Sequence, residues 1–384
     1  MNNSGSENKI VDERHIPRLY FLDSLRGLAA IYIFLYHMVK MPQPNMVVPR
    51  WAEFVKLGGM GITFFFLVSS FSLYFSRGNH KEETCFDFYL RRFLRIAPLF
   101  YVWILLSLIR NNILFDKSHS IQEIVGSVFF FFNLWPGYQQ GFVWAGWMIG
   151  VLMVFYLLFP LVHKFIDDIW KALGLFLFSI FFVSFFKVFL LYTPLEPKVF
   201  DEFLKYNFVR HFPVFAFGIF LYFFYTRFVA ASPASKSFGF FLLSLALCLF
   251  SSLTSGKMDD ILLPTYYWQP IIFSIFIVGF AFNPIVIFIN NSTRFLGKIS
   301  YSIYLNHPTL ILVMKPFYEK IYEMPINLSI RYTICVLITF GLLVPISYIS
   351  YRLIEVPGAK IGNRFLNRRK PFDSRKMNSH VQPE

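Results

Sequence analysis

Residues 26–37 read RGLAAIYIFLYH, an arginine and a histidine closing off ten residues that are almost wholly apolar. In a soluble protein this would be a core helix with polar ends. The rest of the chain argues for a different solvent. Of its 384 residues, 56% are hydrophobic, 21% aromatic and only 15% charged, against about 25% charged in an ordinary soluble domain. Apolar blocks of roughly 18–22 residues recur, each long enough to cross a ~30 Å hydrocarbon core as a helix. The fold class expected is all-α: a polytopic helical membrane bundle of about ten transmembrane helices.

Working outward from that first block, the expected spans are 20–40, 58–76, 96–114, 146–163, 172–192, 211–226, 238–254, 268–288, 299–315 and 331–353. The block 124–134 (IVGSVFFFFNL) is too short to cross unaided and is expected to be re-entrant or interfacial. The 52 phenylalanines suit lipid-facing and helix-packing surfaces and carry no chemistry. An even number of spans puts both ends on one side. Lys and Arg concentrate on that side, the closing NRRKPFDSRK included, so the positive-inside rule makes both termini cytoplasmic. The chain thus divides into a cytoplasmic segment 1–18, a transmembrane domain 19–355 and a basic cytoplasmic tail 356–384. The first 18 residues are polar, with no short apolar core before a cleavage site, so the first span is expected to be the insertion signal. With no soluble domain expected at either end, any chemistry falls among the helices.

A net charge of +14 would suggest nucleic acid in a soluble protein. Here topology and lipid headgroups account for it, and no nucleic-acid partner is expected. Cys85, Cys248 and Cys335 have neither metal-site nor CxxC spacing, so neither a metal site nor a disulfide framework is expected.

The polar groups inside the spans are the informative ones, because ionisable residues in hydrocarbon are costly and usually face the bundle interior. Arg26 and His37 are eleven residues apart, hence ~16 Å along a helix axis and only ~20° around it. They share a face, and Asp23 lies three residues before Arg26, close enough to pair with it. In FYLRRFLRIAPLFYVW, Arg92 and Arg95 share a face at the expected cytoplasmic mouth of the third span, while Arg91 points elsewhere. They serve either as positive-inside anchors or, at a helix N-terminus, as a grip on phosphate. GGMGITFFFLVSSFSLYF carries small residues and the Ser69-Ser70 pair, allowing close approach of a helix or an extended ligand. LGKISYSIYLNHPTL puts Tyr304 and His307 on adjacent turns, with Pro308 expected to interrupt the helix.

Taken in order, these blocks resemble the acyltransferase-3 family of integral-membrane O-acyltransferases. FLDSLRGLAAIYIFLYH is similar to its opening Arg…His signature, and RRFLRIAPLF to its Arg-x-x-Arg motif, carried here by Arg92 and Arg95. GITFFFLVSSF resembles a segment that usually ends in Ser-Gly. WMIGVLMVFYLLFPLV resembles the Trp…Glu…Phe-Tyr-Leu…Pro segment, and ISYSIYLNHP with ISYRLIEVPGAKI resemble the closing motifs. The resemblance covers about residues 19–362. Two positions depart from the pattern: Leu152 stands where glutamate is usual, and Ser70 where glycine is usual.

The resemblance implies a stand-alone bacterial enzyme of the inner membrane that moves an acyl group, commonly acetyl, from acyl-CoA. The acceptor implied is a hydroxyl of an envelope polysaccharide or lipid-linked glycan: O-antigen (lipopolysaccharide), capsule or exopolysaccharide. Acetyl-CoA or another acyl-CoA would be a donor substrate, with no permanently bound cofactor and membrane lipid as surroundings. His37 would act as general base or as acyl carrier, with Arg26 and Asp23 beside it in the catalytic set. Arg92, Arg95 and Ser69 would bind acyl-CoA; Trp147, Tyr156, Tyr304 and His307 would face the acceptor or support the site. Either Asp23 or a carboxylate from elsewhere would stand in for the glutamate missing at Leu152. The rival readings are a glycan or lipid transporter or flippase, built on the same buried polar groups, and a catalytically silent relative.

Overall fold

The computed structural model describes residues 19–42, 45–78, 84–230, 232–233, 235–256 and 264–369. The expected cytoplasmic segment 1–18 and the end of the basic tail lie outside the described residues. Among the described residues every regular element is helical, as a chain spanning a membrane without a closed barrel requires. The protein is an integral, multi-pass membrane protein.

The stretch 26–37 lies inside α1 (Tyr20–Lys40), at the bounds expected. A 3-10 turn, Arg50–Met60, leads into α2 (Gly61–Gly78), and α3 (Cys85–Phe115) follows. The start of α3 differs from expectation. Thr84 and Asp87 form a reciprocal capping box, Asp87 N donating to Thr84 Oγ1 at 3.2 Å and Thr84 N to Asp87 Oδ2 at 3.4 Å, so the helix begins eleven residues before the apolar block. Cys85 is its first residue. Arg92 and Arg95 therefore sit two to three turns inside α3, and no helix N-terminus adds positive potential to them. The short block 124–134 holds α4 (Ile121–Val128), capped by Ser120, and a single 3-10 turn.

The chain continues through α5 (Trp147–Phe165), α6 (Ile169–Leu191), α7 (Pro197–Tyr206), α8 (Phe208–Phe224), α9 (Lys236–Thr254) and α10 (Thr265–Phe282). Along α6 the phenylalanines at 178, 181, 185 and 189 are exposed, a stripe at helical spacing that suits acyl chains. The last part comprises α11 (Asn291–Lys298), α12 (Ser300–Val313), α13 (Lys315–Glu323), α14 (Leu328–Ser350) and α15 (Val356–Arg369). A π-helical turn, Tyr351–Glu355, joins the last two into one continuous rod. The stretch expected as a tail thus begins as helix, and a Cβ at Gly358 would lie 2.7 Å from Leu94 O of α3.

Nine helices are long and apolar enough to cross a membrane among the described residues, against ten expected. The difference is 299–315. There α12 has fourteen residues, ~21 Å by helix rise, and its Ser302, Asn306 and His307 are all buried. Protein rather than lipid surrounds it, which is why polar residues survive there. The helix also runs through Pro308 without stopping and ends at Val313, so the expected interruption at Pro308 is not found.

Close crossings position the site. A Cβ on Gly297 would fall 1.8 Å from Asp23 O, and one on Gly27 2.5 Å from Thr293 O; only two glycines let α1 and α11 touch backbone to backbone. The serine that replaces the usual glycine at 70 is accommodated by the same device. Its hydroxyl donates to Leu67 O at 3.1 Å, and the facing residue on α8 is Gly218, where a Cβ would meet Ser70 Oγ at 2.0 Å.

Candidate active site

Helices α1, α2, α3, α5, α11, α12 and α15 line a cavity of about 730 Å³. Asp23, Arg26, Ser69, Arg92, Arg95, Tyr156 and Tyr304, all singled out from the sequence, line it. The walls carry Arg26, Arg92, Arg95, Lys298 and Lys360 against two carboxylates, Asp23 and Glu355. Cations in excess inside low-dielectric walls make the cavity a trap for an anionic ligand.

Arg26 is held on both sides: Nη1 lies 3.3 Å from Asp23 Oδ1 and Nη2 donates to Ser72 Oγ at 2.6 Å. The expected Asp23–Arg26 pair is therefore present. Arg92 stacks over the rings of Phe88 and Tyr156 at 5.8 and 5.9 Å, an arrangement a guanidinium favours over an ammonium. Ser72 and Ser76 were not singled out from the sequence, though with Ser69 they fall at i, i+3 and i+7 on the cavity face of α2. That spacing was readable in SSFSLYFS.

Leu152 lies in the cavity wall, so the position usually held by glutamate is apolar here. A carboxylate is nonetheless present: Glu355, 7% exposed, enters the same cavity from the π-helical turn and accepts a hydrogen bond from Ser302. The sequence offered it only as part of the closing ISYRLIEVPGAKI. The turn that aims it, one residue wider than α, is invisible in composition, and such turns often occur at functional sites.

His37 and His307 do not line this cavity. They lie beyond Tyr304, whose ring is 5.7 Å from that of His307 and whose hydroxyl donates to Ala145 O at 2.7 Å. His307 Nε2 is 3.0 Å from His37 Nδ1. The backbone assigns the tautomers. His307 Nδ1 lies 3.2 Å from Ile303 O and His37 Nδ1 3.0 Å from Ile33 O, and a carbonyl can only accept. Both neutral rings accordingly carry their proton on Nδ1. His37 then shares its N–H between Ile33 O and His307 Nε2, leaving its own Nε2 with a lone pair on a half-buried ring.

Trp147 belongs to neither group. It packs against Phe66, Tyr206 and His211, with ring centroids 6.3, 5.1 and 5.3 Å away. His211 is a buried histidine the sequence reading passed over. Its Nε2 donates to Lys205 O at 3.1 Å and its Nδ1 accepts from Tyr266 at 2.6 Å, so both ring nitrogens are used in holding α8 against its neighbours.

The chain is 24% identical over 381 residues to the O-acetyltransferase OatA of Staphylococcus aureus strain NCTC 8325, covering 92% of this chain and 59% of that protein. It is 23% identical over 406 residues to a putative O-acetyltransferase of S. aureus strain COL, covering 97% of this chain and 62% of the relative. The chain thus spans less than two thirds of the length of these curated relatives. No solved structure matches it. The profile of an acyltransferase domain matches residues 19–351, nearly the whole described helical body, and the chain belongs to that acyltransferase family.

Proposed function

We propose that this protein is an O-acetyltransferase of a bacterial inner membrane. In this reading it moves an acyl group, acetyl in the simplest case, from acyl-CoA to a hydroxyl of an envelope polysaccharide or lipid-linked glycan. The observation that carries it is the histidine pair beyond Tyr304: an imidazole whose Nδ1 is engaged by Ile33 O and His307 and whose Nε2 has no hydrogen-bond partner among the described residues. That is the form a general base needs. The cation-lined cavity on the other side of Tyr304, beside Leu19 at the start of α1 and Asn363 in α15, suits the phosphates of a CoA donor entering from the cytoplasm.

The step balances without a further reactant. His37 Nε2 takes the proton of the sugar hydroxyl as its oxygen attacks the thioester carbonyl. The C–S bond then breaks and the imidazolium returns a proton to the leaving sulfur, giving the O-acyl ester and free CoA thiol. Arg92 and Arg95 hold phosphate, Arg26 faces the pantetheine arm, and Glu355 supplies the cavity carboxylate that Leu152 does not. Ser69 lines the path, while Tyr304 and His307 order the wall between donor and base.

The test is His37→Ala, assayed for surface-glycan acylation by mass spectrometry in a strain lacking the native gene. The expected result is loss of the acyl mass at matched membrane abundance. Acylation retained in full would remove His37 from the mechanism.

A further inference from the structure

The cation-lined cavity sits beside Arg92 and Arg95 near the start of α3. Some 20 residues further along that helix, ~30 Å by its rise, a second cavity of about 210 Å³ opens at the opposite end of the bundle. Its polar walls come from Lys117, Glu123, Tyr138, Gln139, Gln140 and Glu202. Gln139 and Gln140 both donate from Nε2 to Glu202 Oε2, at 3.3 and 3.1 Å, and Gln139 Oε1 accepts from Gly137 N at 2.7 Å. One more polar group faces the space. Ser127, 1% exposed, lines the cavity with them.

The segment around this cavity holds every non-glycine residue with positive φ among the described residues: Asp116 at 47°, Phe130 at 62° and Ala145 at 61°. Such conformations cost about 1–3 kcal/mol each and persist where the surroundings over-determine them. Two ties run from the segment to α12, the helix of His307. Ala145 O accepts from Tyr304. The second is a buried relay. Glu123 Oε2 accepts from His119 Nδ1 at 3.1 Å, and His119 Nε2 accepts from Asn111 at 2.8 Å. Asn111 Oδ1 accepts two bonds from Arg110, at 3.0 and 2.9 Å, and Arg110 Nη1 donates to Thr309 at 2.9 Å. Thr309 is two residues beyond His307.

We propose that this second cavity binds one pyranose unit of the acceptor glycan, a unit neighbouring the one that is acylated. Carboxylate acceptors, amide and ammonium donors and the Ser127 hydroxyl converge there, matching the vicinal hydroxyls of a sugar ring. The side chains of Tyr138 and Phe142 offer surface to its apolar face. The relay stands between the cavity and the histidine pair, so the bound unit is not the reacting one. The acceptor is accordingly an oligosaccharide or polymer rather than a monosaccharide. This inference rests on the acyltransfer reading for its purpose, though sugar binding can be measured without turnover.

The experiment uses the full chain in lipid nanodiscs, with maltotriose and chitotriose as probes in saturation-transfer NMR and labelled acetyl-CoA binding on the same samples. At least one trisaccharide should receive saturation from the wild type. Glu202→Ala and Gln140→Ala should weaken that binding about tenfold each, the cost of one hydrogen bond to a charged group, with acetyl-CoA binding unchanged. Gln140 is exposed, so its variant keeps the test independent of folding at Glu202. Sugar binding that depends on these residues, in a protein that binds no acetyl-CoA, would keep the sugar site and discard acyltransfer. No transfer to either probe from the wild type, or equal transfer in all three proteins, overturns the proposal.

Discussion

His307 Nε2 and His37 Nδ1 lie 3.0 Å apart although 270 residues separate them in the chain. With both rings protonated on Nδ1, His307 acts toward His37 only as acceptor, and it turns His37 so that the second nitrogen stays basic. In the proposed reaction this makes His307 a positioning residue. His307→Ala should lower kcat about tenfold, the loss of one ordinary hydrogen bond, while leaving KM for acyl-CoA in place. Because the two residues act as a unit, adding the substitution to His37→Ala should cost nothing further. A rise in KM with kcat intact would place His307 in binding instead.

Glu355 and Leu152 face the same cavity, so a carboxylate at either position faces the same cations. Glu355→Gln should slow acylation roughly tenfold, and Leu152→Glu should restore part of the loss in the double variant. Rates in purified protein, at equal abundance, decide it. A double variant no faster than Glu355→Gln would show that the two positions are not equivalent.

Arg92 and Arg95 line the cation-rich cavity. Reversal of both to glutamate should raise the apparent KM for acyl-CoA at least tenfold and weaken its dependence on ionic strength. Acceptor KM should change little. An effect confined to the acceptor would move the donor site elsewhere.

Gly297 faces the backbone of Asp23, where a Cβ would lie 1.8 Å from a carbonyl oxygen. No side-chain rotation relieves such a contact. Gly297→Ala should destabilise the protein by about 3 kcal/mol or more, seen as lower membrane abundance and an earlier thermal transition in detergent. Gly174 and Gly341 meet nothing within 4 Å, and alanine at either should leave both measures near wild type.

Membrane character, the helical class and most span bounds were legible because hydrocarbon imposes them residue by residue: length, apolarity and the cost of each charge are all local. The alignment of Arg26 with His37 was legible too, being fixed by helical periodicity. Where expectation and structure part, a local signal was outvoted. A four-residue capping box at Thr84 started α3 well before its apolar block and took Arg92 and Arg95 away from the helix end. Burial by other helices let α12 be short and polar.

Sequence alone thus determined most of the membrane-spanning helices, which face of α1 carries its ionisable groups, and which family pattern the blocks follow. Tertiary structure decided what meets what. It set His307 against His37 and brought Glu355 into the cavity where Leu152 leaves no carboxylate. It also let Ser70 stand beside Gly218 and tied the far cavity to α12 through Arg110. The physical reason is one of range. Helix formation and insertion are settled by neighbours within a few turns. Side-chain encounters between distant segments depend on how closely helices cross, and here single glycines at those crossings set that distance.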